Sequence, residues 1–340
     1  MDSIIVKAPC VVKLFGEHAV VHGKTAVAIG IGLYATATFK IEEQKLFKVV
    51  LVDLKKEIPV DEKLLSKLYE KYIRKESIDF YIKENLSIDK DILPYITILS
   101  ISYCKYNCII FGEIKVTSEI PKQSGLASSA SCYTAFTMAI LKANSKKLSD
   151  EEVIELARDG ERVSHKNEGA GRIDVSTAYY GGYVSFSGAK FIKHELNAKP
   201  NLLIINTGPK LPTSETVGRV TKLLKERKEY AEGILDKINE CSVKGLEYLY
   251  KNNFQKVGEV MYENQELLRT LNVSSDKLDK AVSIARKHKA HGAKLSGGGG
   301  GGVAVAILEA HNAVLEKELS DEGFVCIKTE ISETGAKESN

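Results

Sequence analysis

The sequence predicts a two-domain chain that mixes strands and helices, on three observations. The first third carries period-2 stretches rich in Val, Ile, Thr and aromatics, such as Tyr34–Phe39. Residues 214–289 read almost wholly as helix. The character of the chain changes after the Ser187-Gly188 turn, which sets a boundary near residue 188 and divides the chain into 1–188 and 189–340. A length of 340 residues suits two units, since domains usually run about 100–200 residues.

The elements follow in order. Ile4–Ala8, Ala26–Ile41 and Leu46–Val52 are strands by their β-branched and aromatic content. Asp61–Lys75 is a helix, with Leu64, Leu65, Leu68 and Tyr72 on one face. Asp91–Tyr106 is a second helix, and Cys108–Ser118 returns to strand. A Gly/Ser segment, Gln123–Ser131, runs into an apolar helix over Cys132–Ala143. Ser149 opens the next helix, and Glu152 three residues on completes the capping-box pattern. Residues 166–173 form a loop, order resumes over Asp174–Tyr180, and Gly181-Gly182 lead into a strand at Tyr183–Phe186. Beyond the boundary, Leu202–Asn206 is a strand, and the helical stretch breaks near Gly233, Asn252 and Asn272. Val303–Leu308 and Phe324–Ile331 close the chain as strands, with a helix between them.

Composition excludes several classes. Charged residues make up 27% of the chain at a net charge of +3, without the concentrated basic face of a nucleic-acid binder. No apolar run reaches the length of a membrane span, and the start MDSIIVKAPC lacks the layout of a signal peptide. The six cysteines are dispersed, and Cys104 and Cys108 have no second pair to complete a zinc site; reduced thiols in a cytoplasmic protein are expected. The oligomeric state is open, a homodimer included.

Four segments concentrate the chemistry. Pro121–Ala130 lies between a strand and a helix, where small residues let backbone N–H groups converge and the helix start adds a positive dipole end, which together cradle phosphate. It is not a Walker A loop, because no Gly-Lys-Ser/Thr follows its glycine. Lys294–Gly302 holds six consecutive glycines against an apolar strand; a loop that brings its backbone close to a ligand fits this better than a linker. Lys13–Gly23 packs a Lys, a Glu and two His into an apolar stretch, and Gly160–Asp174 puts one acid at a helix end and another after a glycine-rich loop. Phosphoryl transfer needs a cradle, a metal ligand, a cation and a group that orients the acceptor, which these segments can supply.

Three of these segments resemble the ordered motifs of GHMP kinases. KLFGEHAVVHG resembles the first motif of the family's mevalonate kinases, SGLASSA resembles GLGSSA, and KLSGGGGGG resembles KLTGAGGGG. The resemblance implies an α+β fold: a ribosomal protein S5 domain 2-like N-terminal domain and a ferredoxin-like C-terminal domain, with ATP and acceptor in the cleft between them. It implies ATP-dependent phosphorylation of (R)-mevalonate to 5-phosphomevalonate in isoprenoid synthesis, with Mg²⁺. By the same resemblance Asp174 is the catalytic aspartate, and Lys13 the lysine that stabilises charge near the acceptor hydroxyl and γ-phosphate. Glu17, His18 and Thr213 fall at the acceptor. Lys122, Ser124, Gly125, Leu126, Ala127, Ser128, Ser129, Ala130, Gly298 and Gly299 fall at the ATP phosphates, and Ser128 and Glu161 at the metal. One departure bears on the acceptor: Gly169–Val175 reads Gly-Ala-Gly-Arg-Ile-Asp-Val where the family usually reads Pro-Ser-Gly-x-Asp-Asn, which leans toward phosphomevalonate kinases and adds Arg172 as a cation for an acidic substrate. Phosphomevalonate kinase and mevalonate 3-kinase are the alternatives within the superfamily, and a non-catalytic nucleotide-binding protein the one outside it.

Overall fold

A computed structural model describes residues 3–41, 47–74, 77–109, 111–119, 128–167, 170–188 and 190–339. The long antiparallel pair β1 (Ser3–Phe15) and β2 (Ala26–Ile41) is the spine of the first sheet. β5 (Gly112–Ser118) pairs with β2, and β3 (Phe47–Leu51) joins β5 in parallel and β4 (Lys56–Val60) antiparallel. β6 (Tyr183–Ser187) also pairs with β2 and carries β7 (Lys190–His194). The chain end returns as β12 (Lys337–Glu338) on β1, so the first sheet takes strands from beyond residue 188.

Helices α1 (Glu62–Ile73), α3 (Leu93–Cys104), α4 (Ser128–Ala143) and α5 (Asp150–His165) cover this sheet. Their apolar faces and Val6, Ala8, Ala35, Ala37 and Phe39 of the spine make one core. A bulge between Pro9 and Cys10 inverts the alternation of β1. Even-numbered residues face the helices before it, while Cys10, Val12 and Leu14 after it face the other way. There they meet Leu202, Ile204, Met261, Val303 and Val305 of the second unit, so the two units share an apolar core.

The second unit runs β8 (Asn201–Asn206), helices α7 (Thr213–Glu226), α8 (Lys228–Tyr250), α9 (Phe254–Thr270) and α10 (Asp276–Lys287), then β9 (Gly292–Ser296), β10 (Val303–Leu308), α11 (Ala313–Asp321) and β11 (Val325–Thr329). Its sheet order is β11-β8-β10-β9, with antiparallel neighbours throughout. This is the split β-α-β-β-α-β arrangement of the ferredoxin-like unit. The expected α+β architecture is the one observed.

Some elements depart from expectation. The helix break near Gly233 is absent: α8 runs through Gly233 and the interruption falls at Arg227. A helical glycine costs only about 1 kcal/mol, and the buried Ile234, Leu235 and Ile238 outweigh it. The breaks at Asn252 and Asn272 hold, because both residues take left-handed φ values of 51° and 58° at helix ends. The helix expected from Cys132 already begins at Ser128. A further helix, α2 (Ile78–Glu84), and the strands β7 and β9 are additions to the sequence reading. Among the described residues no helix is long and apolar enough to cross a membrane, and all six cysteines are free.

Candidate active site

The site lies where β1 leaves the first sheet and meets the glycine run of the second. After the bulge, Val11 lies in the small core that α6 (Arg172–Tyr180) builds with Ile173 and Ala178. Lys13 is two residues on and shares that face. Asp174 stands in the first turn of α6, and Lys13 Nζ donates to its Oδ1 at 2.5 Å, with both side chains under one-fifth exposed. A second bulge between Lys13 and Phe15 sits beside this pair, in keeping with the use of bulges to aim side chains at sites. The Lys13 backbone N–H donates to Ser296 Oγ at 2.9 Å, which ties the strand to β9.

The chain then reverses sharply. Gly16 has φ +89°, and a Cβ there would lie 2.4 Å from the Thr25 carbonyl oxygen. Ala19 N–H donates to Glu17 O at 2.7 Å, closing a three-residue turn in which His18 has φ 62° and ψ −41°. This is the rare γ-turn, a conformation that costs about 1–3 kcal/mol for a non-glycine residue and concentrates at functional sites. His18 is held in it from the other unit: its Nε2–H donates to the Gly298 carbonyl at 2.9 Å. Burial pushes the imidazole down to about 4, so the ring is neutral at pH 7. Its Nε2 carries the proton, and Nδ1 is left as an acceptor.

Glu17 points the opposite way. It is 1% exposed and accepts from Lys294 Nζ, itself fully buried in β9; Lys294 also donates to the Leu295 carbonyl at 2.6 Å. Burial draws Lys294 below the ordinary lysine value, against the pull of Glu17. The other carboxylate oxygen of Glu17 has no hydrogen-bond partner among the described residues. Glu17 therefore joins the two units from beneath the site.

The glycine run is bare because the chain on either side touches its backbone. A Cβ at Gly298 would come 3.2 Å from Thr213 Oγ1, and one at Gly299 would come 2.0 Å from the Val273 carbonyl. Thr213 opens α7, so its hydroxyl lies against Gly298, on whose carbonyl His18 is anchored.

On the opposite wall, Ser128, Ser129 and Ala130 form the first turn of α4, whose leading N–H groups have no partner within the helix. Lys122, Ser124, Gly125, Leu126 and Ala127 lie outside the described residues. A cavity of about 880 Å³ opens beside Ser128 and Ser129 and continues between Val163–Lys166 and the apolar Leu51, Leu54, Ile82 and Leu86. That volume is within the range of small-molecule sites. Glu161 of α5 lies beneath Gly171, where a Cβ would stand 2.5 Å from the glutamate side chain. One Glu161 oxygen faces His165 Nε2 at 3.2 Å, and this hydrogen bond holds the imidazole above its ordinary value. The other oxygen is buried without a hydrogen-bond partner among the described residues. A lone carboxylate oxygen on the helix that packs against the serine-led α4 is what Mg²⁺ takes, since that ion uses one or two carboxylates and completes its shell with phosphate oxygens and water. No group of three or more His, Cys, Asp or Glu among the described residues could hold a metal without such help. The residues present fit the ion.

Arg172, expected to face the substrate, instead turns onto α5, 3.2 Å from Glu151 and 3.6 Å from Glu155. Three features were missed from the sequence. Lys294 had one available signal, a charge between Ala293 and Leu295 in a short apolar run. Lys210 follows β8 in a Gly-Pro-Lys turn and feels the charges of Lys13, Asp174 and Glu161. The cavity residues 51–54 and 82–93 come from strand ends, α2 and loops that carry no motif.

The comparisons with known proteins agree with this geometry. Residues 97–182 match the GHMP kinases N terminal domain, and 246–323 the GHMP kinases C terminal family. The mevalonate kinase of Methanocaldococcus jannaschii is 32% identical over 328 residues, covering 94% of this chain and 96% of the relative. That of Pyrococcus furiosus is 29% identical and covers 98% of each chain. A crystal structure of a mevalonate kinase superposes with a TM-score of 0.79 at 27% identity, covering 96% of this chain and 98% of the other. With relatives matched from end to end, the chain belongs to the GHMP kinase family and, within it, to the mevalonate kinases.

Proposed function

We propose that the chain transfers the γ-phosphoryl group of ATP to the 5-hydroxyl of mevalonate, giving 5-phosphomevalonate and ADP. The Lys13–Asp174 pair carries this reading: a carboxylate and an ammonium in contact, between the α4 start and the glycine run. The nucleotide occupies the 880 Å³ cavity with its base among Leu51, Leu54, Ile82 and Leu86, and its phosphates toward Ser128 and Ser129. Glu161 and Ser128 would hold Mg²⁺, which when bound neutralises charge on the phosphates. Mevalonate lies against His18, Thr213 and Gly298. Asp174 accepts the hydroxyl proton as the oxygen–phosphorus bond forms and the bond to the β–γ bridging oxygen breaks. Lys13 stays beside both oxygens and offsets the negative charge gathered in the transition state. His18, neutral and fixed through Nε2, presents Nδ1 to a donor on the acceptor. Free, mostly buried thiols suit a cytoplasmic setting.

Purified protein incubated with ATP and Mg²⁺ should turn over mevalonate and leave phosphomevalonate untouched, as followed by ADP release and phosphorus NMR of the product. Turnover of phosphomevalonate alone would reverse the assignment of acceptor. The turn of Arg172 away onto Glu151 and Glu155 supports the unphosphorylated acceptor.

A further inference from the structure

Lys210 is a charged group of the cleft to which the reaction above gives no task. It lies in the turn between β8 and α7, and that turn is locked onto the glycine run. Leu211 N–H donates to Gly300 O at 3.1 Å, Gly302 N–H to Gly208 O at 3.2 Å, and Thr207 N–H to Gly302 O at 2.8 Å. A Cβ on Gly301 would stand 3.1 Å from Lys210 Cα and 2.3 Å from the Pro209 carbonyl oxygen. Part of the glycine run is therefore bare so that this turn can lie flat on it, which brings Lys210 to the transfer centre from the second unit.

The surroundings of Lys210 say which ligand group it meets. Its side chain makes no hydrogen bond or ion pair among the described residues. The charges acting on it are Lys13, Asp174 and Glu161, and His165 feels it in turn. Asp174 is already paired with Lys13, and Glu161 bonds His165 with one oxygen and keeps the other for the ion. Among the described residues Lys210 is thus a cation without a counter-ion, and it lies on the side of the cleft where Glu161 and His165 of α5 act on it. Lys13 stands between the two sides: it acts on His18 together with His22 and Lys294, and on Lys210 together with Asp174 and Glu161. Burial, with Lys13 second, draws Lys210 below the ordinary lysine value, as expected of an ammonium that lacks its partner.

We infer that Lys210 is a second catalytic cation, which contacts the γ-phosphoryl oxygens of bound ATP and follows them through transfer. The inference rests on the kinase reading but not on the identity of the acceptor. A lysine that meets only the terminal phosphate distinguishes ATP from ADP. In calorimetric titrations with Mg²⁺ and no acceptor, Lys210→Met should weaken ATP on the order of tenfold to a hundredfold and leave ADP unchanged, the size of a lost charge-assisted hydrogen bond. Lys210→Arg should recover part of the ATP affinity. Circular dichroism checks folding, and Lys210→Gln replaces the Met variant should that one fail to fold. Unchanged affinity for both nucleotides would overturn the inference, and so would equal loss for both, because a lysine that merely braces the glycine run acts on ADP and ATP alike. A wild-type protein inactive on mevalonate would refute the acceptor assignment and leave the ATP-against-ADP comparison to judge Lys210.

Discussion

Replacing Lys294 by Met is the sharpest test of how the site is held. Lys294 is fully buried and Glu17 is 1% exposed, and they are joined across the two units. Removing the ammonium leaves a carboxylate where water does not reach, with neither oxygen bonded to a side chain among the described residues: one has lost Lys294 and the other has no partner there. Breaking a buried pair from one side costs about 3–5 kcal/mol. Met is close to Lys in shape, so little of this comes from a cavity. Domains are typically stable by only about 5–15 kcal/mol, so the change is large. Because the units share a core, unfolding by urea should appear as one transition whose midpoint falls in the variant. The double variant Glu17→Leu, Lys294→Met removes both charges and should regain most of the loss, since buried pairs replaced by apolar residues are often neutral or better. A single variant that costs less than about 1 kcal/mol, or a double variant destabilised by the sum of its parts, would refute the claim that the pair is a dry strut.

Two further outcomes follow from the site. Asp174→Asn should lower kcat by about a hundredfold to ten-thousandfold while ATP binding is kept, because the amide keeps the shape but accepts no proton; a rate within a few-fold of wild type, read by coupled ADP release, would remove Asp174 from the chemistry. His18 is neutral in the fold down to pH about 4, whereas free histidine takes a proton near 6.5. Its folded value lies below its unfolded one, so its contribution is intact above about pH 6.5 and is lost as the pH falls toward 4, by about 3 kcal/mol at the low end. His18→Gln lacks that part of the acid dependence, and urea midpoints at pH 7 and pH 4.5 that fall equally in variant and wild type would contradict the assignment.

The sequence was most legible where chemistry and local backbone rules coincide. EHAVVHG and KLSGGGGGG were legible because a turn at His18 and a bare backbone are dictated locally by residue type, and SGLASSA because a helix starts at its Ser128. Ser149 and Glu152 were likewise readable, and their capping box is present with Glu152 bonded back to Ser149. Gly233 misled because the apolar face of α8 outweighs the propensity of one residue. The cavity wall from Leu51 to Leu93 was unreadable because apolar side chains that will line a ligand look like any other core residues.

The sequence by itself determined the α+β class and most of its long elements, and it offered the candidate site residues, since turn chemistry, capping and hydrophobic period are encoded within a few residues. Only the tertiary structure decided which charges meet. The inversion of β1 after Pro9 puts Lys13 on the face that α6 covers, and so beside Asp174, 161 residues away. The same folding pairs Glu17 with Lys294, turns Arg172 onto Glu151, and leaves Lys210 without a counter-ion among the described residues. Coulomb energies depend on distance and on the exclusion of water, and neither exists until two far-separated stretches of chain are packed against each other.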